Sequence, residues 1–263
     1  MATLAGPFGF EGKLGSLSAY RRTGISKTIL RVKGGPSRNK VKRSPVFART
    51  RALNNEFSGA TQAGSAFRTL LEQLRVVADH NISAPITAII KKIQGCDEAH
   101  ETGFRSILFS QHDYLLQGFQ LNRKTSLEQM IPGPIQVQAS RTTGIIQVDI
   151  PALNPDKTFF PASGQSLFSL VVTAGWIPDW HASDKGSYAP VGNALIRDFQ
   201  SPWHFTANAL EAQQIELKLP SPGKQKEAYG LCIAIGLRFG TRITDVLVKE
   251  SKYVGAGKVV TVV

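Results

Sequence analysis

The chain has 263 residues, of which 42% are hydrophobic, and a formal net charge of +12. This length and apolar content suit one large or two modest domains with a buried core. The 24 glycines and 14 prolines, together with frequent Val, Ile, Phe and Thr, disfavour an all-helical fold and favour β-structure.

Nearly all of the net charge lies at the amino-terminal end. Residues 1–52 contain twelve Lys and Arg but one acid, Glu11, which gives +11. The other 211 residues contain nineteen bases and eighteen acids, so they contribute +1. The sequence therefore predicts a near-neutral body with a basic segment, which attracts polyanions such as nucleic acid, a membrane surface or an acidic face of a neighbouring subunit.

Residues 1–52 form the first predicted part, a basic arm. The runs "KLGSLSAYRR" and "SKTILRVK" flank Thr23-Gly24 and predict a β-hairpin. The following "GGPSRNKVKRSP" is rich in Gly and Pro and predicts an extended basic strap. A hairpin alone is marginal in water, so this arm is expected to need a partner surface.

Residues 53–131 form the second predicted part, a helical region. Asn54 or Asn55 caps a predicted helix over residues 56–78, in which apolar residues from Phe57 to Leu74 recur every three or four positions. A second helix is predicted from Ser83 and Pro85 to Gly95. A third is predicted over residues 99–117, with looser spacing.

Residues 132–263 form the third predicted part, in which the hydrophobic period changes to that of strands. Apolar and polar residues alternate in "IIQVDI" and "IELKL", which predicts half-buried strands, whereas "SLVVTAGWI" and "GLCIAIGL" predict fully buried ones. An antiparallel, immunoglobulin-like β-sandwich of about seven strands is the simplest prediction. The terminal "GKVVTVV" is expected to complete its own sheet. The predicted fold class is α+β.

Several residues of the basic arm resemble a known family. Gly12-Lys13-Leu14-Gly15, Tyr20-Arg21-Arg22 and Ser44-Pro45 ahead of a helix are similar to the opening of an uncharacterised protein family of Bacteroidetes. That family has a Gly-Lys-x-Gly start, a basic extended stretch and a β-rich carboxyl half. Because it is a domain of unknown function, the resemblance implies an organisation and a bacterial origin, and no activity.

No motif for catalysis, metal binding or a cofactor is found. The five histidines lack metal-ligand spacing, and "GGPSRNK" lacks the spacing of a phosphate loop. Asp179, His181 and Asp184 in "DWHASD" are the most suggestive cluster, but polar residues on a loop without a nucleophile are a weak signal. Cys232 lies in an apolar run and is expected to be a buried hydrophobe. We expect no cofactor and no enzymatic activity.

The amino terminus lacks the basic and apolar regions of a secretory signal, and no apolar run approaches the roughly 18 residues of a membrane span. The protein is therefore expected to be made in the cytoplasm. An extracellular location, or one in a released particle, would require lysis or a dedicated export machine.

Two functions remain open for the basic arm. In the first, it pairs with another copy of the chain, and repeated head-to-tail exchange builds an open helical array such as a filament, tube or phage-like particle. In the second, it binds nucleic acid. Apolar residues between the bases, such as Ile29 and Val32, favour assembly because a phosphate-binding tail has little need of them. The candidate subunit-contact or polyanion-binding residues are Tyr20, Arg21, Arg22, Lys27, Arg31, Lys33, Arg38, Lys40, Lys42, Arg43, Phe47, Arg49 and Arg51.

Overall fold

A computed structural model describes residues 2–4, 10–22, 25–32, 34–244 and 247–262. The chain divides into two compact units, Met1–Arg51 and Ala52–Val263. The protein is 28% helix and 38% strand, and its sheets are antiparallel. The predicted α+β class is confirmed.

The amino-terminal unit contains a four-stranded antiparallel sheet. Its strands are β1 (Ala2–Leu4), β2 (Gly12–Leu14), β3 (Leu17–Arg22) and β4 (Ile25–Val32), in the order β1-β4-β3-β2. β3 and β4 correspond to the two runs of the predicted hairpin, and they pair from Leu17↔Val32 to Arg22↔Ile25. The predicted turn, Thr23-Gly24, lies outside the described residues. Four strands give this unit more stability than an isolated hairpin would have.

The extended strap predicted after β4 is wrong between Arg38 and Phe47. Helix α1 (Arg38–Arg43) and a 3-10 helix (Pro45–Phe47) occupy this stretch. The side chain of Ser37 caps α1 by accepting a hydrogen bond from the backbone N–H of Lys40 at 3.2 Å. Basic residues in the last turn of α1 favour it further, since cations stabilise helix C-termini. Local capping therefore outweighs the Gly and Pro signals on either side.

The predicted helical region begins earlier than expected. α2 (Ala48–Leu70) starts directly after the 3-10 helix, so Asn54 and Asn55 lie inside it and cap nothing. A second 3-10 helix (Glu72–Val77) follows, and α3 (Ser83–Gly95) confirms the second predicted helix. In α2 the buried stripe runs from Ala60 to Leu70, but Phe57, predicted to belong to it, is 59% exposed.

The third predicted helix is wrong over most of its length. Only α4 (Phe109–His112) and a 3-10 helix (Asp113–Leu116) form there. Upstream, the buried carboxylate of Asp97 accepts the backbone N–H groups of Ala99 and Ser106 at 3.0 and 2.6 Å. These bonds compete with helical ones and fold residues 97–106 into a loop. A short α5 (Leu127–Met130) follows, with Ser126 and Gln129 forming a capping box.

The runs predicted as strands in residues 132–263 are strands. They form β5 (Gln136–Ala139), β6 (Ile145–Ile150), β7 (Leu167–Pro178), β12 (Gln213–Lys218), β13 (Tyr229–Arg242) and β14 (Val248–Val262). Shorter strands lie between them: β8 (Trp180–Ala182), β9 (Tyr188–Pro190), β10 (Leu195–Gln200) and β11 (His204–Phe205). β6 and β12 alternate in burial, whereas all of β7 is buried, as their sequence patterns predicted.

The sheets and helices of residues 52–263 form three layers. The central sheet has the order β10-β7-β13-β14, with β11 also paired to β7. On one side, Val171 and Cys232 belong to a core cluster with the residues of α2 and α3. On the other, Leu170 and Ile233 belong to a second cluster with residues of β6 and β12, which form a smaller sheet with β5. Both faces of β7 and β13 are therefore buried.

The immunoglobulin-like form of the predicted sandwich is not confirmed. Two antiparallel sheets do share the second cluster, but helices cover the other face of the central sheet. The final strand pairs with β13, as expected for a strand that completes its own sheet. Its outer edge is covered in part by residues 118–121, where Gly118 and Leu121 donate backbone hydrogen bonds to β14.

A buried polar network fixes α2 and α3 to the loop and to β9. Lys91 binds Glu56 and Gln94 at 2.8 and 2.9 Å, and Gln94 donates to the hydroxyl of Tyr188 at 2.9 Å. That hydroxyl donates in turn to the carbonyl of Arg105 at 2.8 Å. The Tyr188 ring lies against Gly59 of α2, where an added Cβ would lie 2.5 Å from a ring atom.

We predict that Gly59→Ala destabilises the protein although it raises helix propensity. The methyl group would displace Tyr188 from its two hydrogen bonds, and overpacking of this kind costs about 1–3 kcal/mol. Gly95→Ala, also in a helix but with no atom near the added Cβ, is the matched control and should be neutral or stabilising. Equilibrium denaturation of both variants checks this, and equal effects would contradict the proposed role of Tyr188.

Candidate subunit-contact and polyanion-binding surface

The predicted contact residues are distributed over five elements at the amino-terminal end of the chain. Tyr20, Arg21 and Arg22 lie on β3, Lys27 and Arg31 on β4, Arg38, Lys40, Lys42 and Arg43 on α1, Phe47 in the 3-10 helix, and Arg49 and Arg51 at the start of α2. Lys33 lies outside the described residues. Of the described bases in this set, all but Arg51 are exposed. The segment therefore presents its charge to solvent.

One face of the amino-terminal sheet is basic. Residues directly opposite each other in paired strands share a face, and the register aligns Lys13, Ser18 and Arg31 in one row. Lys27 lies on the same face, four positions from Arg31 along β4. The guanidinium of Arg31 is 5.6 Å from the centre of the Tyr20 ring, a cation–π contact that fixes its position.

The opposite face of this sheet is apolar at one end. Leu14 pairs with Leu17, and Leu17 pairs with Val32, so the three side chains form one row across β2, β3 and β4. Leu14 is 63% and Val32 69% exposed. We call this row the apolar stripe. The sequence shows Val32 as an apolar residue among the bases, but the stripe itself depends on strand register and is not visible in the sequence.

Within the part of the chain that the structure describes, no salt bridge involves the bases on α1. The one acid of their own unit, Glu11, binds Arg21 at 2.5 Å. Arg51 differs from the others because its guanidinium donates to the carbonyls of Val41 and Ser44, both at 2.8 Å. Arg51 thus holds the end of α1 in place, whereas Arg38, Lys40, Lys42 and Arg43 have side chains available to an external anion.

A second apolar surface lies on α2 in the larger unit. Leu53 and Phe57 are separated by four residues, which places them on one helix face, and they are 46% and 59% exposed. The prediction that Phe57 belongs to the buried stripe is wrong, because that stripe begins at Glu56 and continues through Gly59 and Ala60, one position away from Phe57.

The "DWHASD" cluster does not form a catalytic arrangement. Asp179 is buried and accepts two bonds from Ser110, from its N–H at 2.8 Å and its hydroxyl at 2.6 Å. His181 lies on β8 with Nδ1 3.0 Å from the hydroxyl of Ser106, and Asp184 is exposed. Among the described residues no hydrogen bond joins Asp179 to His181. Asp179 instead anchors the start of α4, and burial raises the pKa of its carboxyl.

Asp113 is a second buried residue whose carboxyl group has a raised pKa. It lies beneath Gly230 of β13, with Arg141 Nη1 3.8 Å from its Oδ2. Burial raises the pKa of Asp113 to about 6, and the nearby Arg141 opposes this rise. The Arg141 guanidinium and the Lys226 ammonium lie over the buried Trp176 ring, 5.8 and 5.5 Å from its centre. The Cys232 thiol is close enough for Asp113 to affect its pKa, but it is buried and its pKa is raised, which makes it a poor nucleophile. This group is therefore better explained by structure than by catalysis.

Two general features bear on what the described residues can bind. No group of three or more His, Cys, Asp or Glu side chains among them could hold a metal ion. None of the helices formed by the described residues combines the length and apolar character needed to cross a bilayer. Cys232 is buried, as predicted, and burial raises the pKa of its thiol.

Comparisons with known proteins give no match: no protein-family model, no curated protein and no solved structure is similar to this chain. The resemblance to the Bacteroidetes family therefore stays a prediction.

We predict that Asp113 makes stability fall as pH rises from about 4 to about 6. In this window the folded state holds a proton on Asp113 that the unfolded state has released, so the free energy of unfolding decreases with pH. The shift of about two pKa units corresponds to about 2–3 kcal/mol. Asp113→Asn should gain stability relative to wild type over this range, measured by urea denaturation at intervals of half a pH unit. A difference between the two proteins that does not vary with pH would contradict it.

Proposed function

We propose that the protein is a non-enzymatic structural subunit that assembles with other copies of itself through its basic amino-terminal segment. The observation that carries this proposal is the apolar stripe of Leu14, Leu17 and Val32. In this row Leu14 and Val32 are exposed and Leu17 is partly exposed, and fully burying an exposed side chain of this size is favourable by about 1.5–3 kcal/mol.

The second apolar surface, Leu53 and Phe57 on α2, supports head-to-tail assembly. When the contact joins two different surfaces, every oligomer has one free surface of each kind at its ends. Further copies can therefore bind at both ends. We propose that the stripe of one copy binds Leu53 and Phe57 of the next. Repetition of this contact produces an open array, of the kind found in filaments, tubes or phage-like particles.

In this proposal the amino-terminal unit acts as an arm, and the β-rich part of the larger unit acts as the sandwich-like body of the subunit. The positive charge of the arm weakens this contact, because the amino-terminal units of adjacent copies repel each other. At physiological salt such repulsion is screened beyond about 8 Å. Assembly should therefore become stronger as salt is raised, as expected for an apolar contact between like-charged units.

We predict that Leu14→Thr with Val32→Thr weakens assembly without unfolding the sheet. Threonine keeps the β-propensity of these strand positions but removes apolar surface, and a loss of about 2 kcal/mol raises the dissociation constant about 30-fold. Val46→Thr, which changes a residue 84% exposed outside the stripe, is the matched control and should assemble like wild type. Sedimentation velocity over a concentration series measures the oligomeric state of the wild type, the double variant and the Val46→Thr control.

A mixing experiment tests the head-to-tail geometry. Phe57→Gln should also block growth, because it removes the receiving surface while glutamine keeps good helix propensity. The stripe variant retains a receiving surface and Phe57→Gln retains a stripe, so an equimolar mixture should form dimers that cannot grow. Monomers or long oligomers in the mixture would contradict the head-to-tail contact, as would a wild-type protein that stays monomeric at high concentration.

Binding of nucleic acid is a second candidate function, favoured by the exposed bases of α1 and of the basic sheet face. Only Tyr20 and Phe47 accompany these bases as aromatic residues, so we propose contacts with phosphates and no stacking platform. Both functions could use the same segment, since the basic and apolar faces of the sheet are opposite.

Salt distinguishes the two functions. We predict that DNA binding, measured by fluorescence anisotropy with a labelled duplex, weakens with salt with a log–log slope of about −0.9 per phosphate contact. Self-assembly should change in the opposite direction over the same range. Arg38→Gln with Lys42→Gln should reduce the slope by about two and leave the stripe contact intact. A slope near zero would exclude the nucleic-acid function.

A further inference from the structure

The larger unit contains a polar groove of about 1170 Å³ that neither proposed function uses. It is lined by the C-terminal part of α2, the 3-10 helix Glu72–Val77, residues 78–83, and two residues of β14, Lys252 and Tyr253. Few of its lining side chains are apolar, so the groove is not an incompletely packed part of the core.

Lys252 and Tyr253 enter the groove because β14 bulges there. Arg238 pairs with Gly255 and Gly240 pairs with Glu250, so residues 251–254 stand opposite Phe239 alone. Bulges of this kind change the direction of side chains and are frequent beside functional sites. Tyr253 has φ of +66°, a conformation that costs a bulky residue free energy, yet its side chain is 66% exposed. The strain is not explained by packing.

A buried amide holds the strained backbone in place. Asn122, 2% exposed, donates to the carbonyls of Val77 and Tyr253 at 3.0 and 3.3 Å. Its own carbonyl accepts the N–H groups of Lys124 and Thr125. The bulge is thus connected to the 3-10 helix on the opposite side of the groove, so the backbone of Tyr253 is held in place before any ligand arrives.

The groove offers both hydrogen-bond donors and acceptors. Arg68 and Lys252 have no carboxylate partner among the described residues, so their donors are available. Glu72 and Asp79 line the groove as well, held by Arg75 and by His80. A polyphosphate has only acceptors and offers no donor to these carboxylates, whereas sugar hydroxyls both donate and accept.

We propose that this groove binds an acidic oligosaccharide. The exposed Tyr253 ring packs against the face of a sugar ring, Arg68 and Lys252 bind its carboxylates, and Glu72 and Asp79 accept bonds from its hydroxyls. The groove is large enough for several sugar units, since small-ligand sites are typically about 300–1,000 Å³. This proposed site shares no residue with the assembly contact and does not depend on it.

The test uses the full chain and uronic-acid tetramers, of galacturonate and of mannuronate, as probes. Calorimetry and saturation-transfer NMR should detect binding of at least one tetramer, weaker binding of a neutral glucose tetramer, and no binding of a thymidine tetranucleotide in the groove. Arg68→Gln and Lys252→Gln should each weaken uronate binding about tenfold.

Tyr253→Gly is the decisive variant. Glycine adopts φ of +66° without strain, so the melting temperature should be unchanged or higher while uronate affinity falls at least tenfold. Tyr114→Ala, which removes another exposed tyrosine, should bind like wild type. Failure of wild type to bind either uronate tetramer, equal affinity of wild type and both Tyr253→Gly and Arg68→Gln, or preferential binding of the tetranucleotide would overturn the proposal. None of these results affects the sedimentation experiments, so the two proposals fail separately.

Discussion

The burial of β7 and β13 on both faces is the constraint on which the larger unit depends. Neighbouring residues in each strand enter different clusters: Leu170 and Val172 face the small sheet, and Val171 faces the helices. A strand with no solvent face needs a cover on each side, so neither the helices nor the small sheet can be removed without exposing apolar surface. Helices and sheets therefore form one interdependent body.

Small residues allow the helical cover to approach closely. At Gly175 of β7, an added Cβ would lie 2.9 Å from Leu70, and at Gly236 of β13 it would lie 2.5 Å from Leu74. Thr173, a polar residue on the face of β7 that contacts this layer, donates to the carbonyl of Leu70 at 3.0 Å. That carbonyl is at the C-terminus of α2, where intrahelical partners are missing. The layer contact thus completes the end of the helix.

The strands of the larger unit and α3 were predictable because the local spacing of apolar residues indicates which of their side chains are buried. A continuous apolar run such as that of β7 needs no further information to be recognised as a buried strand. Predictions failed where one or two side-chain bonds decide the backbone, as Ser37 does for α1 and Asp97 does for the loop that replaces the third helix. The helical layer on the central sheet was also not predicted, because no local sequence pattern indicates which face of a sheet a helix covers.

The candidate sites were least predictable because register and strain are not local properties. Leu14 and Val32 are eighteen positions apart, and only the pairing of three strands makes them one surface. Nothing in the local sequence "ESKYVGAG" distinguishes Tyr253 from an ordinary strand residue. Its exposure depends on a bulge that Asn122, from another part of the chain, stabilises by a hydrogen bond. Natural sequences follow local rules in most places, and departures from them tend to mark function. The exposed aliphatic residues add little to the stability of the sheet, and the strained backbone of Tyr253 reduces stability, so folding alone explains neither feature.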